Sequence, residues 1–134
     1  MNQHGTSLEW QGKGILLVGP PGSGKSELAY QLIGQGALLV ADDQVLLTRE
    51  NDTWIAHCPP AIKGLLHLRE QGIITVPTRD KTIITIIFQS TLPAFELSQP
   101  PDLNISLTKM DFKAENAVMN IQQRLAFDSH HPLA

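Results

Sequence analysis

The sequence is poor in the residues that would hold it together covalently. Cys58 is the one cysteine among 134 residues, which excludes an intramolecular disulfide framework and any metal site made of cysteine alone. A small, half-buried strand residue is its expected role. Aromatic residues are scarce: two tryptophans, one tyrosine and four phenylalanines are too few for the stacking platforms that bind single-stranded nucleic acid. An excess of positive charge is missing too. Ten basic residues against thirteen acidic ones give a net charge of −3, which calls for neither nucleic acid nor an anionic membrane as partner. Long apolar runs are absent. Stretches such as Ile15–Val18 are far shorter than the roughly 18 residues that span a bilayer. The first residues, Met1 to Thr6, lack the charged-then-apolar pattern of an export signal. A cytoplasmic location is the resulting expectation.

What is present is the composition of a globular protein, with 42% hydrophobic and 17% charged residues. The length predicts one domain over residues 1–134, with no internal repeat and no linker. Thr6–Trp10 and Ile15–Val18 read as a hairpin turned by Gly12-Lys13-Gly14. The second strand, apolar throughout, is expected to be buried on both faces. A helix is predicted from Lys25 to about Ile33, ended by Gly34 and Gly36. Ala37–Val40 reads as a buried strand closing on Asp42-Asp43, and Gln44–Thr48 with Thr53–His57 as a second hairpin. Ala61–Leu66 reads as a short helical turn; Ile73–Val76, Thr82–Phe88 and Asn104–Leu107 read as strands. Pro93–Asp102 is predicted to be a proline-rich loop, Ala114–Phe127 a helix, and Asp128–Pro132 a frayed tail. The fold class is therefore α/β, with a mixed, hairpin-rich sheet.

The chemistry concentrates in two short segments. Gly19-Pro20-Pro21-Gly22-Ser23-Gly24-Lys25-Ser26 fits the phosphate-loop pattern G-x-x-x-x-G-K-[ST]. Its glycines let the backbone wrap phosphates with N–H groups turned inward. Lys25 brings a point charge to the β/γ-phosphates, and the Ser26 hydroxyl suits Mg²⁺. Pro20 and Pro21 lack N–H groups but occupy variable positions. A buried strand before the loop and an amphipathic helix after it are the expected context. The second segment is Val40-Ala41-Asp42-Asp43, two carboxylates at the end of a buried strand. In phosphate-loop proteins an acidic residue placed there meets Mg²⁺. Two adjacent carboxylates allow a further role: one can hold the metal or its water while the other takes a proton from a hydroxyl. Glu27, in the first helical turn, is explained by the helix dipole. His57, His130 and His131 show no metal spacing with Cys58 and are expected to be structural or surface residues.

With these residues in view, the chain resembles the HPr kinase/phosphorylase family in its carboxy-terminal catalytic domain. The resemblance runs without gaps through His4-Gly5, Gly12-Lys13-Gly14-Ile15-Leu16, Gly24-Lys25-Ser26-Glu27 and Leu39-Val40-Ala41-Asp42-Asp43-Gln44-Val45. It continues over Gly64-Leu65-Leu66-His67-Leu68-Arg69-Glu70-Gln71-Gly72-Ile73-Ile74-Thr75-Val76 and covers residues 4–76. It implies a phosphoenolpyruvate-carboxykinase-like fold. It implies an ATP- and Mg²⁺-dependent protein-serine kinase acting on an HPr-like phosphocarrier of the phosphotransferase system, with inorganic phosphate removing the group in reverse. Long members of the family carry an amino-terminal domain and form hexamers. This chain looks like the short form found with nitrogen-type phosphotransferase chains, and a homo-oligomer is an expectation. By position, the resemblance makes Lys25 the phosphate-loop lysine, Ser26 a magnesium ligand, Asp42 the base for the target serine and His4 an active-site neighbour. It leaves Asp43 as a further metal ligand, and Arg69 as a cation for the transferred phosphoryl group. The nucleotide is expected over Gly19, Pro20, Pro21, Gly22, Ser23, Gly24, Lys25 and Ser26.

Three positions depart from the family pattern. His67 stands where a metal-binding glutamate is expected, and imidazole is a poor partner for Mg²⁺. Glu70 replaces a glycine after Arg69. The late Pro-Gly-Arg-Asn loop tied to dephosphorylation is not found; Lys109-Met110-Asp111-Phe112-Lys113 occupies roughly its place. The forward reaction is therefore expected ahead of the reverse one. The alternatives are a nucleotide-binding sensor or scaffold that has lost its chemistry, and a small-molecule kinase on the same fold.

Overall fold

A computed structural model describes residues 2–91 and 105–130, apart from the side chains of 128–130. The first strand, β1, spans Asn2–Trp10 and turns through Gln11-Gly12 into β2, Lys13–Val18. The helix α1 follows over Lys25–Gly34, then β3 over Leu38–Glu50 and β4 over Thr53–His57. One 3₁₀ turn, Pro60–Ile62, leads to a small separate hairpin of β5, Leu65–Leu68, and β6, Gly72–Thr75. The strands β7, Lys81–Ser90, and β8, Ser106–Met110, precede the helix α2, Ala117–His130.

The main sheet runs β2-β1-β3-β4-β7-β8, and β2 pairs again with β7. The pairings thus return on themselves, from β2 through β1, β3, β4 and β7 back to β2. The β2–β7 and β7–β8 pairs are parallel and the others antiparallel. The α/β class with a mixed, hairpin-rich sheet is what the structure has.

β2 is the middle of the molecule because its side chains go both ways. Ile15 and Leu17 enter a core shared with α1, α2 and the β5–β6 hairpin, including Leu28, Leu32, Phe88 and Ile121. Leu16 and Val18 enter a second core with Val40, Val45, Ala56 and Ile87. Burial on both faces explains why the strand carries no polar residue after Lys13.

Several expectations need correction. The Asp pair does not end a strand. β3 is continuous for 13 residues, because β1 extends back to Asn2 and pairs with it across the pair, Thr6 opposite Asp42 and Gly5 opposite Asp43. Ala61–Leu66 is mostly not helical, since Leu66 and Leu68 alternate into the core as strand residues. The last helix begins later, at Ala117, after two tight turns whose bonds run from Ala114 N to Asp111 O and from Ala117 N to Ala114 O. Asp128–His130 continue that helix rather than fraying. The late strand begins at Ser106. The Pro93–Asp102 loop, Asn104 and the His131–Pro132 end of the tail lie outside the described residues.

Two glycines of the first hairpin differ in kind. Gly12 has φ +77 with nothing near its absent side chain. Gly14 has an ordinary backbone, but a Cβ there would lie 2.0 Å from the Ile83 carbonyl oxygen. The parallel pairing of β2 with β7 therefore needs a glycine where the strands first meet. Gly14→Ala should cost about 3 kcal/mol or more, the upper range of overpacking in a close-packed site. Gly12→Ala should cost only about 1 kcal/mol, the left-handed backbone penalty. Denaturant unfolding of the two variants checks this order.

Candidate active site

The loop Gly19–Gly24 leaves the end of β2 and delivers the chain to α1. Gly22 and Gly24 adopt φ +86 and +97, backbone that side-chain-bearing residues rarely adopt. Helix α1 starts at Lys25 with no side-chain cap, so its first N–H groups are open to an anion. The strand–loop–helix context expected for the phosphate loop is thus in place. Lys25 is buried, and its Nζ donates to Gly19 O at 2.7 Å and Pro20 O at 3.2 Å. Burial holds its pKa below the usual lysine value, while Asp42, Asp43 and Glu27 pull the other way. The lysine therefore sits under the loop, with its charge costly until an anion arrives. Ser23 Oγ is buried with no hydrogen-bond partner among the described residues.

Asp42 is the best-connected side chain of the site. Its residue is 6% exposed, and three elements supply donors to it. Thr6 Oγ1 of β1 donates to Oδ1 at 2.7 Å. Ser26 Oγ of α1 lies 3.1 Å from both carboxylate oxygens. The peptide N–H of His67, in β5, donates to Oδ2 at 3.2 Å. Asp43, next along β3, turns the other way with φ +74. Its exposed carboxylate accepts from His4, whose Nε2 is 3.0 Å from Oδ1. The extended β1 is what brings His4 to the site.

Lys25, Ser26, Asp42, Asp43 and His4 open on one cleft of about 1030 Å³, whose far wall is the β5–β6 hairpin, with His67, Arg69 and Ile73. The peptide N–H of Arg69 donates to Glu27 Oε2 at 3.2 Å. Glu27 thus ties α1 to the far wall, a role beyond the dipole effect that seemed to explain it. A Cβ on Gly22 would lie 3.8 Å from an Arg69 guanidinium nitrogen, so this arginine reaches over the phosphate loop. His67 is exposed on the cleft wall. His57 lies elsewhere, bonded to Thr48 at 2.9 Å. Cys58 is half-buried just past β4, its thiol pKa raised by burial.

The donor set fits a hard cation. Ser26 Oγ and the Asp42 carboxylate are adjacent oxygens beside a phosphate loop, which suits Mg²⁺ with one or two carboxylates and water. Among the described residues no cluster of three His, Cys, Asp or Glu is arranged to hold a metal by itself. Such a cation therefore depends on the hydroxyl and on the nucleotide. The loop fits the nucleotide through its two left-handed glycines and uncapped helix.

Two features escaped the sequence. Thr6 looked like ordinary hairpin alternation; only its register opposite Asp42 gives it a task. Phe112 and Lys113, from the segment after β8, also reach the cleft; the resemblance put them roughly where the family's late loop is expected but gave them no role.

Among the described residues, no helix is long and apolar enough to cross a membrane. A family model described as the HPr serine kinase C-terminal domain matches residues 1–84. The chain is similar to HPr kinase/phosphorylase 1 of Oceanobacillus iheyensis, 45% identical over 76 residues that make up 56% of this chain and 24% of that protein. It is similar as well to the HPr kinase/phosphorylase of Bordetella pertussis, 45% identical over 76 residues, 56% of this chain and 25% of that one. The matched part is thus about a quarter of the length of these curated relatives. The solved structure of the Hpr(Ser) kinase/phosphatase from Coxiella burnetii superposes with a TM-score of 0.72 at 24% identity, covering 98% of this chain and 96% of that one; at that identity it bears on the fold alone. With the family model covering well over half of its length, the chain belongs to the HPr serine kinase family, in the part that forms the C-terminal domain.

Proposed function

We propose that this chain is an ATP- and Mg²⁺-dependent protein-serine kinase whose acceptor is an HPr-like phosphocarrier. The observation that carries the reading is Asp42: a buried carboxylate in contact with Ser26 at the end of the phosphate loop, yet facing the cleft. A nucleotide-binding sensor needs the loop and the hydroxyl. It does not need a carboxylate clamped from three elements beside them. The relatives' name, HPr kinase/phosphorylase, supports the acceptor class.

In this mechanism the phosphates lie over Gly19–Ser26, and the acceptor serine enters from the side of β5. The serine oxygen forms a bond to the γ-phosphorus as the bond to the β–γ bridging oxygen breaks, releasing ADP. The serine proton passes to Asp42, the general base. Thr6 and the His67 N–H hold that carboxylate's orientation, so it need not be ordered at the moment of transfer. Lys25 leaves its loop carbonyls for the phosphates, and Arg69 supplies charge to the transferred group from above the loop. His4 holds Asp43. Ser26 would hold Mg²⁺, with Asp43 as the carboxylate left free of the base's role, although Asp42 is the one in contact with Ser26. When bound, Mg²⁺ neutralises charge developing on the phosphate oxygens.

Asp42→Asn keeps the shape and removes the proton acceptor. Transfer from labelled ATP to a purified HPr-type carrier should fall about 10²–10⁴-fold, the usual worth of a general base, with ATP affinity by calorimetry nearly unchanged. Equal loss of binding and transfer would make Asp42 a metal ligand instead.

His67 gives the second test, because an exposed imidazole replaces a carboxylate on the cleft wall. His67→Glu should lower the Mg²⁺ concentration for half-maximal transfer. Mn²⁺, which accepts nitrogen more readily, should serve the wild type comparatively well. A wild type inert with both metals that gains transfer on His67→Glu would favour the sensor reading. Indifference to the substitution would mean that His67 does not face the metal.

A further inference from the structure

Lys113 lies outside the stretch matched by the family model, which ends at residue 84. It follows β8 in the turn that leads to α2, yet it stands against the phosphate loop. A Cβ on Gly24 would lie 3.1 Å from Lys113 Cγ and 3.6 Å from its Cε. The lysine stem therefore packs on the bare backbone of Gly24, closer than a side chain there would ordinarily sit. Its placement is fixed. Phe112, before it, is 4% exposed in the core with α1 and α2. The Lys113 N–H donates to Asp111 Oδ1 at 3.0 Å.

Among the described residues, none pairs with the Lys113 ammonium. Structure alone gives no reason for a cation there, whereas the charge of the cleft does. Four carboxylates line it, Glu27, Asp42, Asp43 and Glu70, against three cations, Lys25, Arg69 and Lys113. A nucleoside triphosphate brings further negative charge, and the Lys25 ammonium lies beneath the loop on Gly19 O and Pro20 O. Positive charge on the loop's open side is what such a ligand requires.

We propose that Lys113 is a second phosphate-binding cation, closing across Gly24 on the phosphates of a bound nucleoside triphosphate. The inference deepens the proposed function and rests on its nucleotide site. It gives the C-terminal third of the chain a direct part in binding.

The test is calorimetric titration of the full chain with Mg-ATP, which needs no acceptor and no turnover. Lys113→Gln should weaken binding roughly three- to tenfold, the range for one partly exposed charged contact. Lys113→Arg should restore most of the affinity. The difference between Gln variant and wild type should shrink at high salt, where exposed charges are screened. The side chain is exposed, so the variants should melt with the wild type. Equal Mg-ATP affinity of Lys113→Gln and wild type would overturn the inference and leave the nucleotide site standing. A wild type that binds no nucleotide would overturn both.

Discussion

A carboxylate that leaves water must be met by donors, since an uncompensated buried charge costs several kcal/mol. Asp42 imposes that condition on the whole phosphate side of this molecule. Its donors come from β1, from the first turn of α1 and from the backbone of β5. Each fixes one element. The β1–β3 register must put Thr6 opposite Asp42, the phosphate loop must end with Ser26 at the carboxylate, and the small β5–β6 hairpin must close over both. The neighbouring Asp43 points elsewhere, on a left-handed backbone that aspartate tolerates better than most residues. Two adjacent carboxylates thus acquire opposite surroundings, one buried and clamped, one exposed and paired with His4.

The rest of the fold supplies the rigidity that this clamp needs. β2 is locked by apolar contacts on both faces, so the loop that leaves it starts from a fixed point. Glu27 joins α1 to Arg69 on the opposite wall, which sets the width of the cleft. The cleft is short of positive charge for a triphosphate site. Buried Lys25, held below its ordinary pKa by desolvation, would gain most from a bound phosphate, because the anion would relieve the cost of its burial.

Much of this was legible in the residues, and the limits have physical causes. The loop spacing, the helix after it and the doubly buried β2 follow from local pattern. The α/β class with hairpins beyond the Asp pair followed too, because β-branched and apolar alternation leaves no helical stripe there. Cross-strand register was not legible. It depends on pairing between segments far apart in the chain, so Thr6 looked like any hairpin threonine and β3 seemed to break at its acidic pair. The short stretch Ala61–Leu66 misled because few residues carry the period that separates a turn of helix from a strand. Glu27 already had a sufficient local explanation, which concealed its tie to Arg69. Lys113 was marked only as lying roughly where the family's late loop is expected, and its place on Gly24 came from the fold.

The central claim is that the clamped Asp42 faces a protein hydroxyl and not merely a bound nucleotide. Peptide mapping by mass spectrometry of an HPr-type carrier, after incubation with the full chain, Mg²⁺ and ATP, tests this most directly. One phosphate on one serine of the carrier is expected, with ADP formed in equal amount. A carrier that stays unmodified while the chain binds Mg-ATP tightly, or ATP consumed at the same rate without the carrier, would contradict it.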